Sequence, residues 1–205
     1  MKKIILIRHG SLSDKFKNCY VGSMDLPLSS KGLSEACAIG EFIQDIECEE
    51  YFASPMLRVR QTLENALPEK TTQQVKYLDE LREIDFGEWE GKTFKEICKE
   101  YPEKVEEWTE GKEDFCFPGG SSLKQFFKGI ERFKKRLQES KASTIIVFAH
   151  GGVILYLICS LLGLSKDKML CFKINRGSIS TLQLFENGCA VLNGLNFKPE
   201  INING

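Results

Sequence analysis

Two runs of apolar residues mark the most clearly predicted strands of the chain. Residues 3–7 and 144–149 are apolar apart from their first residue, and such runs are typical of strands that are buried on both faces of a parallel sheet. Shorter strands are predicted at residues 51–53 and 74–78.

Apolar residues recur at helical spacing between these strands. Residues 31–46 form one such stripe, and residues 123–137 form another behind a capping-box pattern at Ser122. Residues 152–162 are almost wholly apolar, which predicts a buried helix. Ser54 is a good N-cap and the proline after it suits the first helical position, so a further helix is predicted to begin there.

Strands and helices alternate along the chain, and this order predicts the fold class. We expect one α/β domain over residues 1–205, with three layers, α/β/α, around a mostly parallel central sheet. A hairpin of residues 178–185 and 190–195 is predicted at the end of the chain. An insertion around residues 92–120 is predicted to form a helical cap or lid, with two short helices that split at Pro102.

The predicted cap contains the most acidic segment of the chain, residues 96–114. Its carboxylates are Glu96, Glu100, Glu103, Glu106, Glu107, Glu110, Glu113 and Asp114. We interpret them as a solvated face of the cap. The alternative is that they select against highly anionic ligands.

The overall composition excludes several classes of protein. The 205 residues include 28 basic and 29 acidic side chains, and this balance argues against a dedicated nucleic-acid binder. The longest apolar run, residues 151–164, is shorter than the roughly 20 residues that span a bilayer. The apolar run at residues 4–7 is too short for a signal peptide. We therefore expect a cytoplasmic protein without a membrane or nucleic-acid partner.

The cysteines give no metal pattern. There are eight, no two of them form a Cys-x-x-Cys pair, and the chain has only two histidines. We expect reduced thiols, and we expect no metal and no cofactor.

The two histidines carry the strongest chemical signal. His9 follows the first apolar strand and His150 follows the later one, and each stands directly before a glycine. Ligands of open α/β sheets bind beyond the carboxyl ends of the strands. The sequence therefore predicts that both imidazoles reach one crevice.

The segments around these histidines resemble the motifs of the histidine phosphatase superfamily, which includes the cofactor-dependent phosphoglycerate mutases. Arg8-His9-Gly10 is similar to the first motif, and the remaining motifs follow in order along nearly the whole chain. The matching segments are residues 8–10, 20–32, 54–62, 81–91 and 149–152. The resemblance implies a phosphoglycerate mutase-like fold.

The resemblance also implies a chemistry for five residues. His9 matches the nucleophile that takes the phosphoryl group as phosphohistidine, and this needs a neutral imidazole. Arg8, Arg58 and His150 would lower its pKa by like charge and offset the charge of the phosphoryl oxygens. Glu83 matches the proton donor. A glutamate among arginines is expected to be ionised until a bound phosphate dianion raises its pKa.

Two of these assignments have competitors nearby in the sequence. Asp85 and Glu88 are alternatives to Glu83 as the acid. Arg60 is an alternative to Arg58, and because residues two apart point to different helix faces, only one of them is expected at the site. The motif favours Glu83 and Arg58.

Further residues are predicted to bind the substrate from the surrounding loops: Gly22, Ser23, Gly151, Lys15 and Asn18. The last two compete for one role. The family often has an asparagine six residues after the nucleophile, where this chain has Lys15, and Asn18 is offset by three. Ser11 also departs from the glutamate that commonly follows the first motif.

The connection between Glu83 and His150, positions 84 to 149, has 66 residues and is acidic. The mutases usually carry a longer and more basic insertion there, so the chain resembles the phosphatase branch. The resemblance extends to the α-ribazole phosphatases of cobalamin synthesis. It implies a metal-independent phosphomonoester hydrolase, monomeric or homodimeric, whose partner is a small phosphorylated metabolite. The alternatives are a cofactor-dependent phosphoglycerate mutase and a weakly active, phosphate-binding regulatory protein.

Overall fold

A six-stranded mixed sheet forms the centre of the protein in the computed structural model, which describes residues 1–112 and 114–201. Glu113 of the acidic segment lies outside the described residues. The strands are β1 (Lys2–Arg8), β2 (Glu50–Ala53), β3 (Lys76–Tyr77), β4 (Thr144–Ala149), β5 (Ile179–Leu184) and β6 (Ala190–Phe197). Their order is β3-β2-β4-β1-β5-β6, and β1 to β4 run parallel. Strand β5 is antiparallel to both of its neighbours, so the prediction of a mostly parallel sheet is confirmed.

Helices cover both faces of the sheet. They are α1 (Ser30–Ile43), α2 (Leu57–Ala66), α3 (Glu69–Thr72), α4 (Phe94–Glu100), α5 (Pro102–Thr109), α6 (Leu123–Glu139) and α7 (Gly151–Leu161). Short 3-10 turns lie at Asp14–Phe16, Asp79–Leu81, Gly87–Trp89 and Lys166–Cys171. Within the described residues, no helix is both long enough and apolar enough to cross a membrane.

The apolar run of β1 is explained by two separate cores. Ile4 and Leu6 pack into the core that α6 and α7 share, whereas Ile5 and Ile7 pack into the core formed with α1 and α2. Alternate side chains of a strand point to opposite faces, so both faces of β1 must be apolar. This packing confirms the three-layer arrangement.

A third cluster of buried residues holds the segment predicted to be a cap. Trp89, fully buried, packs with Ile97 of α4 and with Phe115 and Phe117 beyond α5. Helices α4 and α5 meet at Pro102, which occupies the first turn of α5, as the sequence predicts. The interpretation of residues 92–120 as a cap or lid on a single domain stays a prediction.

The predicted start of α2 at Ser54 is wrong. The helix begins at Leu57, and its N-cap residue, Met56, makes no side-chain capping bond. Asp25 from a distant loop accepts the hydrogen bond of the Leu57 amide at 2.7 Å. Ser54 is fully buried, and its hydroxyl lies 2.8 Å from His150 Nε2. The same oxygen accepts a longer hydrogen bond from the amide of Met56, at 3.4 Å, so Ser54 lies before the helix and links it to His150.

Candidate active site

The two histidines lie together beyond the carboxyl ends of adjacent strands. Strands β1 and β4 are parallel neighbours, with Arg8 opposite Ala149, and His9 and His150 are the next residues of each. Their ring centroids are 5.3 Å apart. The chain leaves β1 toward α1 on one face and enters α7 on the other, which opens a crevice between the strand ends. The structure therefore places both imidazoles side by side at the carboxyl ends of these strands.

The hydrogen bonding of His9 defines its tautomer. Nδ1 lies 2.8 Å from the carbonyl oxygen of Gly10, and because a carbonyl only accepts, Nδ1 carries the ring proton. In the part of the chain that the structure describes, Nε2 has no hydrogen-bond partner, so its lone pair is free. Burial lowers the pKa of His9 well below its usual range, and the positive charges of Arg8 and Arg58 lower it further. The ring is therefore neutral at pH 7.

His150 is held by Arg58. The Nε of Arg58 donates to His150 Nδ1 at 3.2 Å, which leaves the ring proton on Nε2, facing the Ser54 hydroxyl. Both Arg58 and His150 are fully buried. Burial, followed by the charge of Arg58, lowers the pKa of His150 well below its usual range. The expectation that His150 contributes positive charge is wrong, because this geometry makes it a neutral hydrogen-bonding group.

Arg58 is anchored to the loop before α1 as well. Its Nη2 donates to the carbonyl of Gly22 and its Nη1 to the carbonyl of Met24, each at 2.8 Å. Arg60 is exposed on the other face of α2. The structure therefore brings Arg58, not Arg60, to the strand ends.

Arg8 lies at the carboxyl end of β1 with part of its donor capacity unused. Its Nη1 donates to the carbonyl of Ile174, whereas its buried Nε has no partner within the described residues. Burial lowers the pKa of Arg8 to about 10, against the opposing effect of Glu83. The guanidinium still carries its charge at pH 7. A Cβ at Gly151 would lie 3.0 Å from its Cζ, so the glycine lets the guanidinium pack closely against the start of α7.

Glu83 reaches the first turn of α7. Its Oε2 accepts from the amide of Gly152 at 3.0 Å, and a Cβ at Gly152 would lie 2.6 Å from Oε1. Burial raises the pKa of Glu83, although Arg8 and Arg58 oppose the shift. Desolvation therefore favours the protonated carboxyl in the empty site, whereas the two positive charges favour the carboxylate.

The alternative acids are engaged elsewhere or point to solvent. Asp85 accepts from the hydroxyl of Ser23 at 2.8 Å and from the amide of Gly87 at 2.9 Å. Glu88 is exposed. Of the three carboxylates, Glu83 is the one that lies with Arg8 and Gly152 on a common cleft.

This cleft has a volume of about 510 Å³ and opens between the first loop, Glu83, the start of α7 and the segment before β5. Its lining includes Arg8, Asn18, Glu83, Gly151 and Arg176. The charge of Arg176 lowers the pKa values of Arg8, His9 and Arg58. Sequence reasoning did not assign a role to Arg176. Arg176 follows an irregular segment without helical or strand periodicity, so the pattern does not predict where its side chain lies. The one indication in the sequence is that Arg176 comes shortly before β5.

The predicted substrate-binding residues separate into two groups. Asn18 and Gly151 line the cleft, and Asn18 has a left-handed φ of 61°. Lys15 is exposed in a 3-10 turn and lies outside the cleft lining. Gly22 and Ser23 also lie outside this lining, and their amides are already occupied. The backbone turn at residues 14–16 rotates Lys15 outward and brings the segment after it to the cleft.

Glu90 occupies those amides. Its carboxylate accepts from the amide of Gly22 at 3.0 Å, from that of Ser23 at 2.7 Å and from that of Phe86 at 3.1 Å. The carbonyl of Gly22 in turn accepts from Arg58. Glu90 therefore fixes the loop that orients Arg58. The motif contained Glu90, but spacing alone gave it no role.

Taken together, the groups provide a neutral imidazole with a free lone pair, two permanent cations at the strand ends, and a carboxyl group with a raised pKa. Such a set suits transfer of a phosphoryl group to nitrogen with protonation of a leaving oxygen. Among the described residues, no group of three or more histidine, cysteine or acidic side chains is arranged to hold a metal ion.

Comparison with known proteins gives a consistent result. The family model of the histidine phosphatase superfamily (branch 1) matches residues 4–196. Phosphoserine phosphatase 1 of Hydrogenobacter thermophilus is 26% identical over 193 residues, covering 94% of this chain and 91% of the relative. The adenosylcobalamin/alpha-ribazole phosphatase of Escherichia coli is 26% identical over 183 residues, covering 89% of this chain and 90% of the relative. The crystal structure of the alpha-ribazole phosphatase from Shigella flexneri superimposes with a TM-score of 0.84 at 26% identity, covering 99% of this chain and 100% of that one.

Proposed function

The chain belongs to the histidine phosphatase superfamily, branch 1, and we propose that it hydrolyses phosphomonoesters through a phosphohistidine at His9. The observation that carries this proposal is the tautomer of His9. Nδ1 is held by the Gly10 carbonyl, so the free lone pair of Nε2 is available beside Arg8 and Arg58.

In the first half of the proposed reaction, Nε2 of His9 attacks phosphorus and the bond to the ester oxygen breaks. The leaving alkoxide takes the proton of Glu83, whose burial raises the pKa of the carboxyl and so favours the acid form that this step needs. In the second half, the Glu83 carboxylate accepts a proton from water, and the oxygen of that water attacks phosphorus. The P–N bond breaks, its electron pair returns to Nε2, and phosphate leaves.

Charge stabilisation falls to the arginines in this proposal. The phosphoryl oxygens carry negative charge throughout the transfer, and fixed cations stabilise it most in a poorly solvated site. The buried Nε of Arg8 has no partner among the described residues, so it is a donor available to a phosphoryl oxygen. His150 contributes a neutral hydrogen bond and a fixed position for Arg58.

The relatives differ in the leaving group of their substrates. Relatives in the comparison act, by their names, on alpha-ribazole phosphate or on phosphoserine. Hydrolysis of α-ribazole 5′-phosphate by this chain stays a prediction, as do a cytoplasmic location and a monomeric or homodimeric state. The mutase alternative is supported by relatives at 27% identity, whereas the regulatory alternative has no specific observation in its favour.

Metal independence provides the first test. We expect p-nitrophenyl phosphate to be hydrolysed without added metal and to the same extent after treatment with EDTA, because the proposed chemistry uses only side chains. The measurement should include α-ribazole 5′-phosphate, phosphoserine and 3-phosphoglycerate with 2,3-bisphosphoglycerate. Loss of activity with EDTA that a divalent ion restores would contradict the mechanism. Rapid interconversion of phosphoglycerates would favour a mutase.

The contact of Glu90 with the loop that orients Arg58 provides the second test. Glu90→Gln places an amide NH₂ among three backbone N–H donors, so the loop that orients Arg58 is expected to shift. Displacement of a positioned group by about 1 Å costs on the order of 10²-fold in rate, and we expect kcat to fall by roughly 10- to 100-fold. Glu64→Gln, an exposed change on the same helix as Arg58, is the matched control.

Thermal unfolding of both variants should accompany the kinetics. A Glu90→Gln enzyme that is folded, binds phosphate as the parent does and keeps its kcat would show that the contact of Glu90 with the loop does not position Arg58.

A further inference from the structure

The cleft beside Glu83 is strongly basic although the whole chain has a formal net charge of −1. Five cationic side chains line it: Arg8, Lys17, Lys173, Arg176 and Lys198. Glu83 is the one acidic residue among its described lining, so the cations outnumber the acidic groups there. The cleft therefore concentrates positive charge well beyond the average of the surface.

One phosphoryl group does not account for all of these cations. Arg8 and the buried Arg58 lie at the strand ends beside His9, where the phosphoryl group reacts. The charge of Lys198 is partly offset by Glu35, whose carboxylate lies 3.7 Å away. Lys17 and Lys173 remain, and both are exposed without an ion pair among the described residues.

Arg176 points to the same conclusion. It is partly buried, and burial lowers its pKa although Cys19 and Glu35 oppose the shift, yet it makes no hydrogen bond or ion pair within the described chain. An unpaired guanidinium that is partly desolvated is costly unless an anion completes it. Tyr20 and Phe172 also line the cleft and add apolar wall, which strengthens charge interactions there.

The acidic segment does not oppose this charge. No described residue of 92–120 lines the cleft, and α4 and α5 carry their carboxylates on exposed positions for the most part. The described residues of the segment therefore make no contact with the cleft through which they could select against anionic ligands.

We propose that the leaving alcohol of the substrate carries a second anionic group, a carboxylate or a phosphate, which Lys17, Lys173 and Arg176 bind. The proposal rests on the phosphatase reaction described above and narrows its substrate class. It ranks phosphorylated acids and bisphosphates above esters whose alcohol is an uncharged nucleoside, α-ribazole included.

Matched substrates test this directly. 3-Phosphoglycerate and glycerol 3-phosphate differ by a carboxylate in place of a hydroxymethyl group, and fructose 1,6-bisphosphate and fructose 6-phosphate differ by the second phosphate. We expect kcat/KM to be at least about tenfold higher for the more anionic member of one pair, and the pair that responds identifies the anion.

The double variant Lys17→Met/Lys173→Met should erase most of this preference through KM. Exposed ion pairs are each worth up to about a factor of five, so we expect a three- to tenfold rise in KM for the anionic substrate. The value for p-nitrophenyl phosphate should stay unchanged. Lys128→Met/Lys141→Met removes the same charge from exposed positions outside the cleft and is the control.

The outcomes separate the two proposals. If p-nitrophenyl phosphate is not hydrolysed, the phosphatase reaction itself is wrong. If it is hydrolysed but neither pair shows a preference, or both double variants change KM equally, the second anion site is wrong and the phosphatase proposal stands. A higher kcat/KM for α-ribazole 5′-phosphate than for every anionic ester would also overturn it.

Discussion

His9→Ala is expected to lower kcat for every phosphomonoester by about 10⁴-fold or more, the scale seen when a covalent nucleophile is removed. No other side chain at the strand ends can replace it. His150 is the nearest imidazole, but Arg58 donates to its Nδ1 and its Nε2 proton faces Ser54. Its lone pair is therefore already engaged.

The variant should nevertheless keep its affinity for phosphate. Arg8 and Arg58 remain, so phosphate or vanadate should still raise the thermal unfolding midpoint of His9→Ala. His9→Gln, which retains polarity and size, serves as a second form if the alanine variant is poorly folded. A folded variant with more than a hundredth of the parent kcat would remove His9 from the role of nucleophile.

Glu83→Gln is expected to separate substrates by their leaving groups. The amide keeps the size of the carboxyl and loses its proton, so phosphorylation by alkyl esters should slow by about 10²–10⁴-fold, the usual contribution of a general acid. A p-nitrophenolate departs with little protonation and should suffer much less. Pre-steady-state bursts isolate phosphorylation from the later water step, in which Glu83 also acts.

The pH dependence of the same step gives an independent reading. Glu83 must be protonated to act, and because burial raises its pKa, the acid form persists above the usual range for glutamate. Phosphorylation by an alkyl ester should therefore fall as pH rises through that raised pKa, and Glu83→Gln should lose this limb. The lowered pKa of His9 keeps the nucleophile neutral well into the acid range. Equal slowing for both leaving groups would transfer the acid role to another carboxylate.

The pattern of apolar residues was sufficient to predict the central strands of the sheet and the proximity of the two histidines. The apolar runs that became β1 and β4 are fixed by burial on both faces, and adjacent parallel strands end at the same edge. Their neighbours His9 and His150 could then be placed together without any tertiary information.

Local pattern failed where a distant group competes for the same atom. The Ser54 oxygen pairs with His150 instead of capping α2, and Asp25 satisfies the helix from another loop. The neutral state of His150 depends on burial and on the direction of the Arg58 Nε–H bond, neither of which spacing records. Glu90 accepts from three backbone amides, and because almost any residue supplies an amide, the sequence does not reveal its partners.

The charge of the cleft was missed for a related reason. Lys17, Lys173 and Arg176 come from two loops more than 150 positions apart, and only the fold brings them to one wall. The acidic segment was conspicuous because its carboxylates lie close together in the sequence, although its described residues do not reach the cleft.

Trapping the phosphoenzyme tests whether the phosphoryl group is transferred to His9 before it reaches water. The enzyme is mixed with a radiolabelled phosphomonoester, quenched in alkali within milliseconds, digested and analysed by mass spectrometry. We expect one phosphoryl group per chain, stable in alkali and labile in acid, on the peptide that contains His9, and none in His9→Ala. Turnover with no labelled enzyme, or label on His150 or on a carboxylate, would contradict it.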